Sequence, residues 1–112
     1  MSADVCEGLS TTYDGVLDFP GLVVDVYPEG DACAVHIRGE LDIAARNIVV
    51  DATTAGQHPM MIVDLAGVTF MDCDGYGCLV ASRLILEASG RTLTLRGQTG
   101  QPGRLLAMIA QL

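Results

Sequence analysis

The stretch from residue 60 to residue 78, MMIVDLAGVTFMDCDGYGC, constrains the fold of this chain more than any other. Its first six residues are apolar except for Asp64, which is typical of a strand in the interior of a sheet. An acidic turn, Asp72-Cys73-Asp74-Gly75, comes later, and a helical pattern begins there. A strand followed by a loop and a helix N-terminus presents polar groups at the helix end. We therefore interpret the acidic turn as the functional site.

Strands are predicted on both sides of this stretch. Residues 22–27 alternate and are rich in β-branched residues, which predicts a strand. A turn signal at 28–31 separates them from a second predicted strand at 32–38, so the two are expected to form a hairpin. Residues 91–96 alternate between threonine and leucine and predict a further strand. Residues 1–19 are polar and mixed, and we interpret them as a partly ordered lead-in with room for a short strand near 16–19.

Three helices are predicted. The first covers about residues 43–55 with Asp42 as its N-cap, and the second covers about residues 75–88 with Asp74 as its N-cap. The last runs over about residues 102–111 after a loop that begins at Gly97. Strands that alternate with helices imply parallel crossovers. The expected fold class is α/β: one domain over residues 20–112, with a four- to five-stranded mixed β-sheet and helices packed mainly on one face.

The second predicted helix has two unlike sides. At 100° per residue, one arc is apolar and is expected to be buried. The opposite side places an apolar ridge, Tyr76, Val80 and Leu84, beside charged residues, which suits a partner surface. Helices of small domains also expose some apolar atoms without any partner, so both interpretations stay open. The arc expected to be buried consists of Cys78, Leu79, Ala81, Ile85 and Leu86.

The charge balance narrows the classes of partner. The formal net charge is −8, with six arginines and no lysine. Nucleic acids and anionic membranes select clustered positive charge, so neither is expected to bind, and a basic protein surface is favoured. No apolar run reaches the ~20 residues of a membrane span, and residues 1–20 lack the pattern of a signal peptide. We therefore expect a cytoplasmic protein, as a monomer or weak dimer.

Metal and cofactor sites are not expected. The two histidines, His36 and His58, are far apart in sequence, and Cys73-x4-Cys78 is not a zinc signature. In a reducing cytoplasm the four cysteines are expected to be free thiols. No nucleophile–histidine pair or glycine-rich phosphate loop is visible, so the sequence does not predict an enzyme.

Three motifs, in their order and spacing, resemble the STAS domain of anti-sigma factor antagonists. The first is Gly39-Glu40-Leu41-Asp42 after a strand. The second is the strand Ile62-Val63-Asp64-Leu65 with Val68-Thr69-Phe70-Met71-Asp72 behind it. The third is Gly75-x-Gly77-x-Leu79 at the start of a helix that is closed by Gly90-Arg91-x-Leu93. The resemblance covers roughly residues 20–112.

The resemblance implies a regulatory role through partner switching. Such proteins bind an anti-sigma factor that is also a Ser/Thr kinase, and they release it when a hydroxyl in their acidic turn is phosphorylated. The resemblance also implies that Glu40 and Asp42 lie near this turn and share the contact with it. Here Cys73 and Asp74 stand where the family has two hydroxyl residues, and Asp74 falls on the phosphoacceptor position. The phosphoswitch is therefore expected to be missing or altered.

Asp74 and Cys73 each have a further interpretation. Asp74 carries less charge than a phosphoserine on a shorter arm, so it is a partial mimic that either holds a released-like state or leaves binding permanent. It also suits a plain N-cap. Cys73 beside a helix N-terminus is a candidate redox switch, although a small inert replacement for serine is the simpler interpretation.

Two other functions are consistent with parts of the sequence. One is a STAS module that scaffolds or senses a ligand without switching. The other is a phosphatase of the haloacid dehalogenase type, since Asp72-Cys73-Asp74-Gly75 resembles its first motif, with Mg²⁺ between two aspartates. That chemistry also needs a lysine and a downstream acidic pair, and the chain has no lysine.

Overall fold

A four-stranded mixed sheet with three helices forms the fold in the computed structural model, which describes residues 22–56 and 58–110. The strands are β1 (Val23–Glu29), β2 (Ala32–Leu41), β3 (Met60–Met71) and β4 (Thr92–Arg96). They lie in the order β1-β2-β3-β4. β1 pairs with β2 antiparallel, whereas β2, β3 and β4 are parallel to one another. The predicted fold class is thus confirmed, with four strands in the described part of the chain.

Two of the three helices connect the parallel strands. A single 3₁₀ turn, Ile43–Ala45, leads into α1 (Arg46–Thr54), and α2 (Cys73–Ala88) joins β3 to β4. The last helix, α3 (Gly100–Ile109), follows β4 and packs against β3. Each predicted helix and strand in the described residues therefore exists. The predicted lead-in, with its possible strand near 16–19, lies outside them.

One face of the sheet carries the core, and no helix of residues 22–56 and 58–110 covers the other, which we call the bare face. Core side chains alternate along the strands, as one covered face requires, although Ala32 and Ala34 on the opposite face of β2 are also buried. On the bare face β3 places Met60, Ile62 and Asp64, none of which is fully buried. The helices therefore cover the core face, as predicted. The strand side chains of this core are Val24, Val26, Cys33, Val35, Ile37, Met61, Val63, Leu65 and Leu93.

Arg91, directly before β4, links the start of this strand to the end of α1. Arg91 donates from Nε to the carbonyl oxygen of His58 at 2.7 Å and from Nη1 to that of Thr54 at 3.0 Å. Its Nη2 donates to the carbonyl oxygen of Ala55 at 3.2 Å. Carbonyls at the end of a helix have no intrahelical donor, so the guanidinium supplies what α1 lacks. The Gly90-Arg91-x-Leu93 motif thus has a structural role.

The strands that lead to the acidic turn are longer than the sequence predicted. β2 continues through Gly39 and Glu40 to Leu41, and β3 continues to Met71. Register shifts between His36 and Arg38 and between Gly39 and Glu40 keep the two strands paired to their ends. A break at residue 39 was predicted from Gly39, but an irregular ladder accommodates this glycine, whose φ is 111°.

The cysteines differ in state. Cys73 is an exposed free thiol and Cys78 a buried free thiol. Cys33 is disulfide-bonded, so the expectation of free thiols is wrong for this residue. The remaining cysteine, Cys6, lies outside the described residues.

Candidate functional site

The candidate site lies where the carboxyl ends of β2 and β3 meet the start of α2. Register pairs Leu41 with Met71, and the backbone N–H of Asp72 donates to the carbonyl oxygen of Leu41 at 3.4 Å. Parallel strands bring their carboxyl ends to one edge, so Asp42 and Asp72 each follow a strand there. We call this region, with Glu40, Asp42, Asp72 and Asp74, the carboxylate edge.

Asp72, and not Asp74, is the N-cap of α2. The side chain of Asp72 accepts a hydrogen bond from the backbone N–H of Gly75 at 2.8 Å, and the helix begins at Cys73. The predicted cap at Asp74 is wrong because Asp72, directly behind β3, still has extended backbone angles and occupies the half-in position. Asp74 lies in the first turn with its side chain exposed. Its carboxylate therefore faces solvent at the positive end of the helix dipole.

Gly75 allows the helix to approach the sheet closely. A Cβ atom added at Gly75 would collide with the backbone carbonyl of Leu41 and would lie 2.9 Å from Cγ of Met71. Backbone atoms of β2 cannot move aside as the end of a flexible side chain does. By contrast, a Cβ atom added at Gly77 meets nothing within 4 Å. Of these two motif glycines, only Gly75 is needed for packing.

The other two acidic residues lie at the same edge, as the resemblance implies. Asp42 caps the 3₁₀ turn, because its Oδ1 accepts from the backbone N–H of Ala44 at 3.0 Å. Glu40 is exposed and pairs in register with Phe70 on β3. Two large apolar side chains, Ile43 and Phe70, are exposed beside them. Carboxylates and apolar side chains together make a surface suited to a basic, partly apolar partner.

Gln101 is a site residue that the sequence did not reveal. Its Oε1 accepts from the backbone N–H of Met71 at 2.8 Å, and its Nε2 donates to the Met71 carbonyl at 2.8 Å. β4 pairs with β3 only as far as Asp64, and the Gln101 amide makes with Met71 the two backbone hydrogen bonds that a neighbouring strand would make. The contact anchors α3 to the residue that precedes Asp72. A lone glutamine between a glycine and a proline carries no pattern that predicts this bond.

The two thiols near the site are not equivalent. Cys73 is exposed at the first residue of α2, so the predicted redox switch at Cys73 stays a prediction. Cys78 is buried as predicted, with its Sγ 4.0 Å from the carbonyl oxygen of Asp42. Burial raises the pKa of the Cys78 thiol, and the nearby carboxylates of Asp72 and Asp42 add to this. Cys78 is therefore a packing residue.

Neither Ser82 nor Thr69 lies in the first turn of α2, where the resemblance places the phosphoacceptor. Ser82 is fully buried, and its Oγ lies 2.7 Å from Oγ1 of Thr53, which donates to it. Ser82 donates in turn to the carbonyl oxygen of Cys78 at 2.9 Å. Thr69 is exposed, but it lies on β3 and donates to the Gly39 carbonyl at 3.3 Å. The first turn of α2, residues 73–76, contains neither a serine nor a threonine.

The ridge predicted on α2 is only partly free. Tyr76 and Val80 are half-buried and line a small cleft above Leu93 and Leu95 of β4. Leu84 is 60 % exposed. The prediction that Ile85 is buried is wrong, because this side chain is 49 % exposed at a side of α2 that no element of the described residues covers.

Residues 22–56 and 58–110 show neither a membrane span among their helices nor a metal site. No helix there combines the length and the apolar character that crossing a membrane requires. In the same part of the chain, no three His, Cys, Asp or Glu side chains are grouped so as to hold a metal ion.

Comparison with known proteins identifies a family and several similar structures. Residues 24–111 match the family described as Mlab, STAS domain. An anti-sigma factor antagonist STAS domain from Rhodobacter sphaeroides is 15% identical over 70% of this chain and 88% of its own, with a TM-score of 0.59. The unphosphorylated anti-sigma factor antagonist SpoIIAA is 19% identical over 80% of this chain and 82% of its own, with a TM-score of 0.58.

A longer protein also contains a similar domain. The structure of Mglu is 25% identical over 62% of this chain, with a TM-score of 0.57, and this chain covers only 18% of its length. No curated protein sequence gives a significant match. The antagonist structures, at these identities, support the fold.

Proposed function

The chain belongs to the STAS domain family, and on that premise we propose that it binds an anti-sigma factor of the kinase type at the carboxylate edge. Binding would release a sigma factor and so regulate transcription without any catalysis by this chain. The proposal requires that the protein act in the cytoplasm. Its direct contacts would be the turn from Asp72 to Gly75, with Glu40, Asp42 and the ridge beside it.

The observation that carries this proposal is an exposed first turn of α2 that is held in place from three sides. Asp72 caps the helix, Gly75 packs on the Leu41 carbonyl, and Gln101 holds Met71. Cys73 and Asp74 are thereby presented to solvent in a fixed geometry. A preorganised surface loses little conformational entropy on binding, which favours recognition by a partner.

The same turn supports an altered switch. Asp74 occupies the position that the resemblance assigns to the phosphoacceptor, and its carboxylate is exposed and makes no ion pair within residues 22–56 and 58–110. A Ser/Thr kinase has no hydroxyl to modify there. Under this proposal, phosphorylation at this turn cannot release the chain from its anti-sigma factor. The chain is then either a permanent binder or a permanently released form.

Calorimetry with candidate anti-sigma kinases tests the proposal and separates these two forms. The wild-type chain is compared with Asp74→Ser, each with and without ATP. Binding of wild type regardless of ATP, with release of Asp74→Ser by ATP, identifies a permanent binder. Binding by Asp74→Ser alone identifies Asp74 as a built-in phosphate mimic. If neither chain binds any kinase, the antagonist function is wrong.

A second pair of variants tests the surface itself. A Cβ atom at position 77 meets nothing within 4 Å, so Gly77→Trp places a large ring outside the fold, one turn from Cys73 and Asp74. We expect Gly77→Trp to reduce binding of the partner at least tenfold, whereas Gly77→Ala retains it. Circular dichroism and thermal melting show that both variants fold. Equal binding by both would place the contact elsewhere.

A second candidate is a module that scaffolds or senses a ligand. The match to 18% of Mglu favours it, because there a similar domain forms a small part of a longer chain. Failure of every kinase to bind, combined with a correctly folded chain, would make this the leading function.

A further inference from the structure

We propose that the bare face of the sheet holds a second binding site, for a small organic cation with an apolar body. The site is a groove at the hairpin end of the sheet, opposite to the carboxylate edge. It is lined by Glu29 and Asp31 of the hairpin, and by Ala32, Met60, Ile62 and Thr92 on three strands. We call it the hairpin groove. The proposal does not depend on binding of an anti-sigma factor.

The groove has the size and floor of a small-molecule site. Its volume is about 530 Å³, within the range of about 300–1,000 Å³ that is usual for such sites. Met60 and Thr92 are register partners, and Ile62 lies two residues further along β3 on the same face. Met60 is 45 % exposed although it is large and apolar. Contact with a hydrocarbon group would remove this surface from water.

One wall of the groove is fixed by an ion-pair network. Arg96 donates from Nη1 and Nη2 to both carboxylate oxygens of Glu29. Its Nε also donates to Oδ2 of Asp64 at 3.0 Å. Both ends of the guanidinium are thus held, and Glu29 is positioned across the sheet. The three groups together carry one net negative charge, so the wall repels anions.

Asp31 supplies the recognition group. It is exposed at the hairpin turn, and within residues 22–56 and 58–110 it has no hydrogen bond or ion pair. Its carboxylate is therefore available to an incoming ammonium or guanidinium group. A cation paired with Asp31 would place its apolar part on Ala32, Met60 and Ile62.

Charge also argues against a second copy of this chain as the occupant of the groove. A second copy of the chain carries a net charge of −8. Like charges repel across a contact, so a second copy does not complement a groove bordered by Asp31 and a negative wall. A cationic ligand with an apolar body complements both the border and the floor.

Titration of the ¹⁵N- and methyl-labelled protein with hexylammonium, followed by NMR, tests the site. We expect saturable shifts centred on Met60, Ile62 and Thr92, and none there with hexanoate, which has the same tail and the opposite charge. Asp31→Asn should weaken binding two- to fivefold, as expected for an exposed ion pair. Met60→Gln should weaken it as well by removing part of the apolar floor.

Asp51→Asn is the matched control, because it removes an equal charge from the exposed side of α1. It should leave the affinity unchanged. Equal weakening by Asp31→Asn and Asp51→Asn would show that the cation follows net charge only, and the proposal would be wrong. Shifts spread over the acidic surface, shifts with hexanoate in the groove, or no shifts at all would overturn it too. None of these variants touches the carboxylate edge, so kinase binding is tested separately.

Discussion

At the scale of single residues, neighbours of the same type have different tasks. The carboxylate of Asp72 accepts a hydrogen bond from the N–H of Gly75, whereas the carboxylate of Asp74, two residues on, is exposed. Gly75 is needed because a backbone carbonyl lies against it, whereas Gly77 faces open space. A residue type therefore indicates the site but not the part that each residue plays in it.

The two glycines give a matched stability test. Gly75→Ala forces a methyl group onto the Leu41 carbonyl, and overpacking of this kind costs about 1–3 kcal/mol. Gly77→Ala meets no neighbour and replaces a poor helix former, so it should stabilise the protein by about 0.5–1 kcal/mol. Urea denaturation of both variants measures the free energy of unfolding. A loss at residue 77 equal to that at residue 75 would contradict the packing account.

At the scale of elements, side chains from elsewhere in the chain hold the end of one helix and the end of one strand. Arg91, before β4, satisfies carbonyls after α1, and Gln101, in α3, satisfies the end of β3. These contacts join elements that are far apart in sequence. Arg91 thereby caps the carbonyl end of α1 at Thr54, and Gln101 holds α3 beside the acidic turn.

Replacement of Arg91 by Gln tests the first of these contacts. The variant loses hydrogen bonds from a charged group to three carbonyl oxygens near the end of α1. We expect a loss of about 1–3 kcal/mol in the free energy of unfolding. Arg104→Gln, at an exposed position of α3, is the control and should change it by less than about 0.5 kcal/mol. If the two variants lose equally, the loss reflects charge and not the contact.

At the scale of the whole molecule, the two faces of the sheet have different chemistry. The core face is apolar and covered by helices, whereas the bare face joins β1, β3 and β4 through the Glu29–Arg96–Asp64 network. The carboxylate edge and the hairpin groove lie at opposite ends of this sheet. A ligand in one therefore leaves the other open to a partner.

The Glu29–Arg96–Asp64 network makes the stability of the protein depend on pH. The hydrogen bond from Arg96 lowers the pKa of Glu29. Burial alone would raise the pKa of Asp64, but hydrogen bonds from the Ala66 N–H and from Arg96 lower it overall. A carboxylate whose pKa is lowered by folding adds stability above its unfolded pKa and loses it as the pH falls through the folded pKa. The loss should therefore begin near pH 5 and deepen below about pH 4.

Arg96→Gln checks the source of this loss. The variant removes the donor that lowers both pKa values, so its stability should fall less steeply between pH 5 and pH 3 than that of wild type. Arg38→Gln, which leaves the network intact and removes only the ion pair with Asp25, is the control. Urea midpoints measured over this range decide the outcome. An unchanged slope in Arg96→Gln would assign the acid dependence to other groups.

The sequence by itself determined the order of elements, the α/β class and the family. Alternating apolar residues mark strands with one covered face, and Asp42 and Gly90 mark a helix start and a helix end, because these are local properties of the backbone. The place of the acidic turn in the fold follows from the same local signals, since it comes between a strand and a helix.

Only the tertiary structure decided which aspartate caps α2 and which residues hold it. Asp72 and Asp74 are equally good caps by type, and the pairing of Met71 with Leu41 keeps Asp72 extended, so the helix begins directly after it. Gln101 is 30 positions from Met71 in sequence, and Ile85 is exposed because no element within residues 22–56 and 58–110 packs over it. Contacts between distant segments depend on how the elements pack, and no local pattern encodes them.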